Sequence, residues 1–196
     1  MLGCVAVPVV SQVRVALAVL AGIAIAPGIA CADDALGNDI GADAVVVVPY
    51  GDWATHTAVG FGASARVRVP LTSDTTITAR LAGIAHLPRT IDIAGAPATT
   101  RVLEFPLLGG ARYRVSGPGR LRGFAFGELG VIFRRTDVEF GGAHDADVKI
   151  VFGSALGAGV SLDRFEVTVA VWLPDLAEVD HTAGAIITAG GAFASW

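Results

Sequence analysis

An antiparallel up-and-down β-barrel of eight strands, all-β and transmembrane, is the expectation raised by three features of this chain. Long segments alternate apolar with small or charged residues, the joins between them are by turns short and long, and the first 32 residues read as an export leader.

The leader, Met1 to Ala32, has one charge, Arg14. An apolar run from Val15 to Ile25 follows, then Pro27 and the small-residue site Ala30-Cys31-Ala32. These mark a secretory signal peptide cleaved before Asp33, which divides the chain into a leader, 1–32, and a barrel domain, 33–196. An uncleaved anchor is one alternative. A lipoprotein signal ending at Cys31 is another, although Gly28 stands where such signals usually carry Leu. Both cysteines, Cys4 and Cys31, fall in the leader, so the mature chain meets an oxidising compartment without thiols.

The bulk composition agrees. Of 196 residues, 53% are hydrophobic and the mean hydropathy is +0.63. No uncharged apolar stretch of about 18 residues follows the leader, so helical spans are not expected there. Apolar residues this abundant but dispersed suit a barrel wrapped in lipid. Fourteen basic and 18 acidic residues give a net charge of -4. Losing the leader's Arg14 makes this -5, which argues against nucleic acid as a partner.

Period-two alternation places strands at 43–50, 58–71, 75–87, 101–115, 121–135, 148–162, 165–173 and 182–196. Most exceed the usual 5 to 6 residues and suit a tilted membrane strand of about 9 to 11. The joins run long at Gly51 to Thr57, short at Thr72-Ser73-Asp74 and long at Pro88 to Thr100. They continue short at Ser116 to Arg120, long at Thr136 to Asp147, short at Asp163-Arg164, and long at Pro174 to His181. Short periplasmic turns and longer external loops alternate in this way in outer-membrane barrels.

The second strand sets Phe61, Ala63, Ala65, Val67, Val69 and Leu71 against Gly62, Ser64, Arg66 and Arg68. Arginines face hydrocarbon only at high cost, so theirs is the lumen face. On the fourth, Leu103, Phe105, Leu107 and Tyr113 oppose Glu104, Gly110, Arg112 and Arg114. On the sixth, Val148, Ile150, Phe152, Leu156, Val160 and Leu162 oppose Lys149, Gly153, Ala155, Gly157 and Gly159. The seventh sets Phe165, Val167, Val169, Val171 and Leu173 against Glu166, Thr168 and Trp172. The fifth breaks the rule, because Phe124 and Phe126 share a face with Glu128 and Arg134. A bulge near Gly127 or Gly130 would reconcile them.

The expected lumen set is therefore Arg66, Arg68, Arg80, Arg112, Arg114 and Lys149 against Glu104 and Glu166, with Arg112 and Glu104 as a candidate pair. Unpaired buried charge is costly, so these groups should interlock as a polar plug. The positive excess leaves an anion path as the alternative. With both ends of the mature chain periplasmic, Tyr113, Phe165 and Trp196 would mark the inner boundary of the membrane, and Tyr50, Trp53 and Phe61 the outer one.

The stretch Leu103-Glu104-Phe105-Pro106-Leu107-Leu108 with Ala111-Arg112-Tyr113-Arg114-Val115 resembles a motif of the outer-membrane-protein beta-barrel domain family, small eight-stranded barrels of OmpA/OmpX-like architecture. Phe126-Gly127-Glu128-Leu129-Gly130 and the Gly-rich run Ala155 to Phe165 are similar to its later elements. The resemblance implies a location in the cell outer membrane, tolerance of Pro106 within a strand, and no shared catalytic residues. It also implies recognition by the barrel-assembly machinery through the C-terminal Trp196. The aromatic that such signals usually carry two positions before the last residue is replaced by Ala194.

All four histidines fall at one end: His56, His144 and His181 in long joins, and His86 at the end of the third strand. Asp52, Asp92, Asp137, Glu139, Asp145, Asp147, Asp175, Glu178 and Asp180 gather there too. Imidazole and carboxylate ligands suit divalent metals, but no close spacing assembles a ligand set, and polar residues collect in solvated loops. Asp180-His181-Thr182 is the sole cluster reminiscent of a lipid-A-modifying barrel enzyme, and it lacks a serine. The expectation is thus a non-enzymatic, monomeric outer-membrane barrel with a structural or surface-interaction role. Its partners would be outer-membrane lipid and lipopolysaccharide, with no cofactor, metal or catalytic residue. A narrow pore, a soluble lipocalin-like barrel for an apolar ligand and a lipid-A-modifying barrel enzyme are the alternatives.

Overall fold

The computed structural model describes residues 38–196 apart from 94 and 116–119. The leader at 1–32 and most of the Ser116 to Arg120 turn lie outside these residues. Among the described residues there are nine strands: β1 (Asp39–Tyr50), β2 (Gly60–Pro70), β3 (Thr75–His86), β4 (Arg89–Ile93), β5 (Ala96–Arg114), β6 (Leu121–Phe140), β7 (Ala143–Leu162), β8 (Phe165–Leu173) and β9 (Ala183–Ser195). One short helix, α1 (Trp53–His56), follows β1.

Every pairing is antiparallel, in the order β3-β2-β1-β9-β8-β7-β6-β5-β4, and a further β3–β5 pairing closes the ring. Eight strands form the barrel, and β4 stands outside it as a flap on β5. No described helix is long and apolar enough to cross a membrane. Outward side chains make an exposed apolar belt that includes Val67, Val69, Leu81, Phe105, Leu107, Leu129, Phe133, Phe152, Leu156, Val169 and Val171. Water offers no reason for a closed sheet to expose so many large apolar groups; hydrocarbon does.

Three expectations need correction. The long joins at 88–100 and 136–147 are not loops. β6 and β7 continue paired to Phe140 and Ala143 around a two-residue Gly141-Gly142 turn, and β4 forms a hairpin with β5. Beyond the membrane both faces of a ribbon are wetted, so the apolar alternation that marks a strand disappears while pairing persists. The turn residues have φ of 56° and 84°, the left-handed region that favours glycine. Replacing Gly142 by Val should cost about 1–2 kcal/mol. Hydrogen exchange should then accelerate at 136–147 and remain slow at 124–132; uniform protection would show that the turn is not needed.

The second correction concerns β6. No bulge occurs at Gly127 or Gly130, because its register with β5 and β7 is unbroken over its whole length. Phe124 and Phe126 face the lumen with Glu128. Their neighbours on β7 explain why: Phe124 pairs with Gly159 and Phe126 with Gly157. A Cβ on Gly159 would collide with the Phe124 ring, so the glycines of β7 make the room that the phenylalanines fill. A shift of register occurs instead between Ile40 and Gly41 of β1, against β9. Third, β1 starts at Asp39 rather than 43, which brings one further carboxylate, that of Asp39, into the barrel.

Pro106 is accommodated by a gap. The β3–β5 ladder runs to Leu81–Leu107 and resumes at Ile84–Glu104, skipping the proline that has no N–H to donate.

Candidate functional site

Three layers occupy the lumen, ordered by strand position from the short-turn end. β5 contributes Arg112, Leu108, Pro106 and Glu104; β3 contributes Arg80, Ala82, Ile84 and His86; β1 contributes Asp43, Val45 and Val47.

The first layer is ionic. Glu166 Oε2 accepts from Arg68 Nη1 at 2.7 Å and from Arg112 Nη1, while Arg66 lies 4.0 Å from the other oxygen. Asp39 takes Arg68 Nε on both oxygens, at 2.8 and 2.9 Å. Asp43 accepts from Arg66 and lies 3.4 Å from Arg80, whose Nε is 3.1 Å from Glu128. Thr78 donates to the second Glu128 oxygen at 3.2 Å. The Arg112 guanidinium also covers the Phe124 ring, 3.6 Å from its centroid, a cation–π contact.

The second layer is apolar, with Val45, Val47, Ile84, Leu108, Ile132, Ile186 and Trp172 in one cluster; Trp172 has no exposure. The third pairs Glu104 with Arg134, whose Nε donates at 2.9 Å, and with His86, whose Nε2 is 3.6 Å away. His86 Nδ1 lies 2.8 Å from the Ala58 carbonyl oxygen. Trp53 of α1 closes this end, its ring centroid 5.5 Å from that of His86 and its edge lying against Gly184.

The expected lumen set is thus brought together in part. Arg66, Arg68, Arg80, Arg112, Glu104 and Glu166 are inside. Arg114 lies at the mouth, 3.9 Å from Asp74. Lys149 is in the exposed extension of β7, 3.8 Å from Asp147. Arg112 does not meet Glu104: they are eight residues apart on one strand, about 26 Å at strand rise. Asp39, Asp43, Glu128 and Arg134 were missing from the expected set, so the positive excess largely vanishes. Among the described residues five arginines (66, 68, 80, 112, 134) meet five carboxylates (39, 43, 104, 128, 166). The alternation Asp39-Gly41-Asp43-Val45-Val47 was the available signal on β1, masked by the continuous run Val45 to Val48.

Of the boundary aromatics, Tyr113, Phe165 and Trp196 are exposed at the short-turn end, and Tyr50 at the other. Trp53 is not at a lipid boundary; it is buried over the lumen. Trp196 donates its backbone N–H to Asn38 at 3.2 Å, tying the end of the chain to the start of β1.

The four histidines share one end but do not converge on one site, although His56 and His181 line one cavity. His86 is buried, His144 lies 3.9 Å from Asp137 on the β6–β7 hairpin, and His181 lies 3.0 Å from Asp52. Among the described residues no group of three or more His, Cys, Asp or Glu is placed to hold a metal. The acid partner of His181 is Asp52 and not Asp180, and the Thr182 hydroxyl donates to the Asp175 and Glu178 carbonyls.

No family model matches the sequence. No curated protein matches it either. Solved structures do match. The fold is similar to that of Ail, the attachment invasion locus protein of Yersinia pestis, with a TM-score of 0.50 and 13% identity over 80% of this chain and 95% of that one. Ail in complex with the heparin analogue sucrose octasulfate aligns with a TM-score of 0.48 at the same identity. Neisserial surface protein A, NspA, aligns at 0.46 with 13% identity, over 79% of this chain and 94% of that one. What is shared at this identity is the fold, an eight-stranded antiparallel barrel.

Proposed function

We propose that this chain is an integral outer-membrane barrel with a structural or surface-interaction role, its lumen plugged by its own side chains. The observation that carries the reading is the sorting of side chains across one closed wall, large apolar groups outward and paired charges inward. An apolar-ligand barrel needs the reverse arrangement. Export would be directed by residues 1–32, leaving 33–196 as the barrel. Lipid and lipopolysaccharide would surround it, Trp196 would serve recognition by the assembly machinery, and the barrel would act as a monomer without catalysis or cofactor.

The surface role is supported by the β4–β7 strands that rise above the ring, where His144, Asp145, Asp147 and Lys149 are exposed. Ail, which shares the fold, is by name an attachment invasion protein.

Unboiled protein should migrate anomalously on a denaturing gel and fractionate with outer membranes. Recovery of the mature chain from a detergent-free periplasmic extract would overturn the reading. The narrow-pore alternative is decided in planar bilayers: a filled lumen should give no resolvable unitary conductance.

A further inference from the structure

At the short-turn end the barrel opens into a cavity of 190 Å³ lined by five arginines, Arg68, Arg112, Arg114, Arg122 and Arg164, from four parts of the ring. Its nearby carboxylates are largely committed. Asp39 and Glu166 are spent on Arg68 and Arg112, and Asp74 approaches Arg114 only to 3.9 Å. Asp163 faces the fully wetted Arg120, also at 3.9 Å. Among the described lining residues four carboxylates face five guanidiniums, of which Arg122 has a partner of its own. A guanidinium carries five N–H donors, and Arg112 uses Nη1 alone on Glu166 while Phe124 holds its plane in place. The space equals that of about six liquid waters, enough for a tetrahedral oxyanion or two linked ones.

We propose that this mouth binds a small phosphate-class oxyanion, held by the arginine forks of Arg112, Arg114 and Arg164, while Asp39 and Glu166 fix the guanidiniums beneath it. Planar guanidinium forks match the oxygen spacing of phosphate and favour it over a spherical anion. The oxyanion is either free in the adjoining compartment or the headgroup of a phospholipid bordering that rim.

Calorimetric titration of the refolded barrel in neutral detergent with pyrophosphate tests the site, with sodium chloride at matched ionic strength as the reference. Saturable one-to-one binding is expected. Arg114→Gln and Arg164→Gln should each weaken it about tenfold, the worth of one charge-assisted hydrogen bond, and Arg164→Lys should weaken it less. No saturable binding beyond chloride, or equal affinity in the double Gln variant, overturns the proposal. Lipid nanodiscs then separate the sources. Unchanged pyrophosphate affinity when phosphatidylglycerol replaces phosphatidylcholine assigns the site to a free anion, and about tenfold weakening assigns it to a headgroup. Heat-modifiable mobility checks that every variant is folded, so loss of the site and failure of the membrane reading give different results.

Discussion

Glu166→Gln is expected to destabilise the barrel by about 3–5 kcal/mol, the usual cost of removing one partner from a buried ion pair. Glutamine keeps the shape and removes the charge that Arg68 and Arg112 contact directly and that Arg66 feels at 4.0 Å. Asp39 still holds Arg68 and Asp43 still holds Arg66, but Arg112 has no other carboxylate among its contacts. Urea unfolding from phospholipid vesicles, followed by tryptophan emission, measures the loss. A change below about 1 kcal/mol would place the cluster among solvated surface pairs instead. Adding Arg112→Gln should cost less than the two single losses combined, because the second change removes the cation that the first left stranded. Reversing the charge at Arg112 should likewise act through Glu166 and leave the Glu104–Arg134 pair intact.

The second large effect is expected from Trp172→Ala, at about 3–5 kcal/mol, since truncating a fully buried aromatic leaves a void that the β-ring cannot collapse to fill. Trp172 Nε1 has no hydrogen-bond partner among the described residues, so what is lost is packing. Trp172→Phe should therefore cost much less, under about 1.5 kcal/mol. The same truncation removes the widest group of the apolar layer between two charged ones. Unitary conductance should appear in planar bilayers with the Ala variant and be absent with the Phe variant. Silence from both would mean that the remaining side chains close the lumen without Trp172.

Much of the barrel was legible in the chain because lipid imposes a simple rule on each strand separately. Phe61 to Leu71 and Phe165 to Leu173 could be assigned an inside and an outside without any partner strand. The rule failed where its cause was absent. Asp137 to Asp147 project beyond the lipid, so their alternation of charge and small residues reads as a loop, although Gly141-Gly142 signalled a hairpin. It also failed at Phe124 and Phe126, where lumen size rather than polarity chose the residues. Their glycine neighbours on β7 were visible in the sequence, but their pairing required the register. Arg112 with Glu104 was a matching of charges without distance, and strand rise alone could have excluded it.

From residue order alone came the eight crossings, their two faces and the end on which histidines and acids collect, because each depends on periodicity within one segment. Which charges meet had to wait for the closed ring. Glu166 gathers arginines from β2 and β5 because ring closure and strand stagger bring distant residues to one height, 98 residues apart in the case of Arg68 and 54 in that of Arg112. The same closure turns Trp53 from a boundary aromatic into a cover for the lumen, and it gathers five arginines from separate strands and turns at the short-turn end of a chain whose net charge is negative.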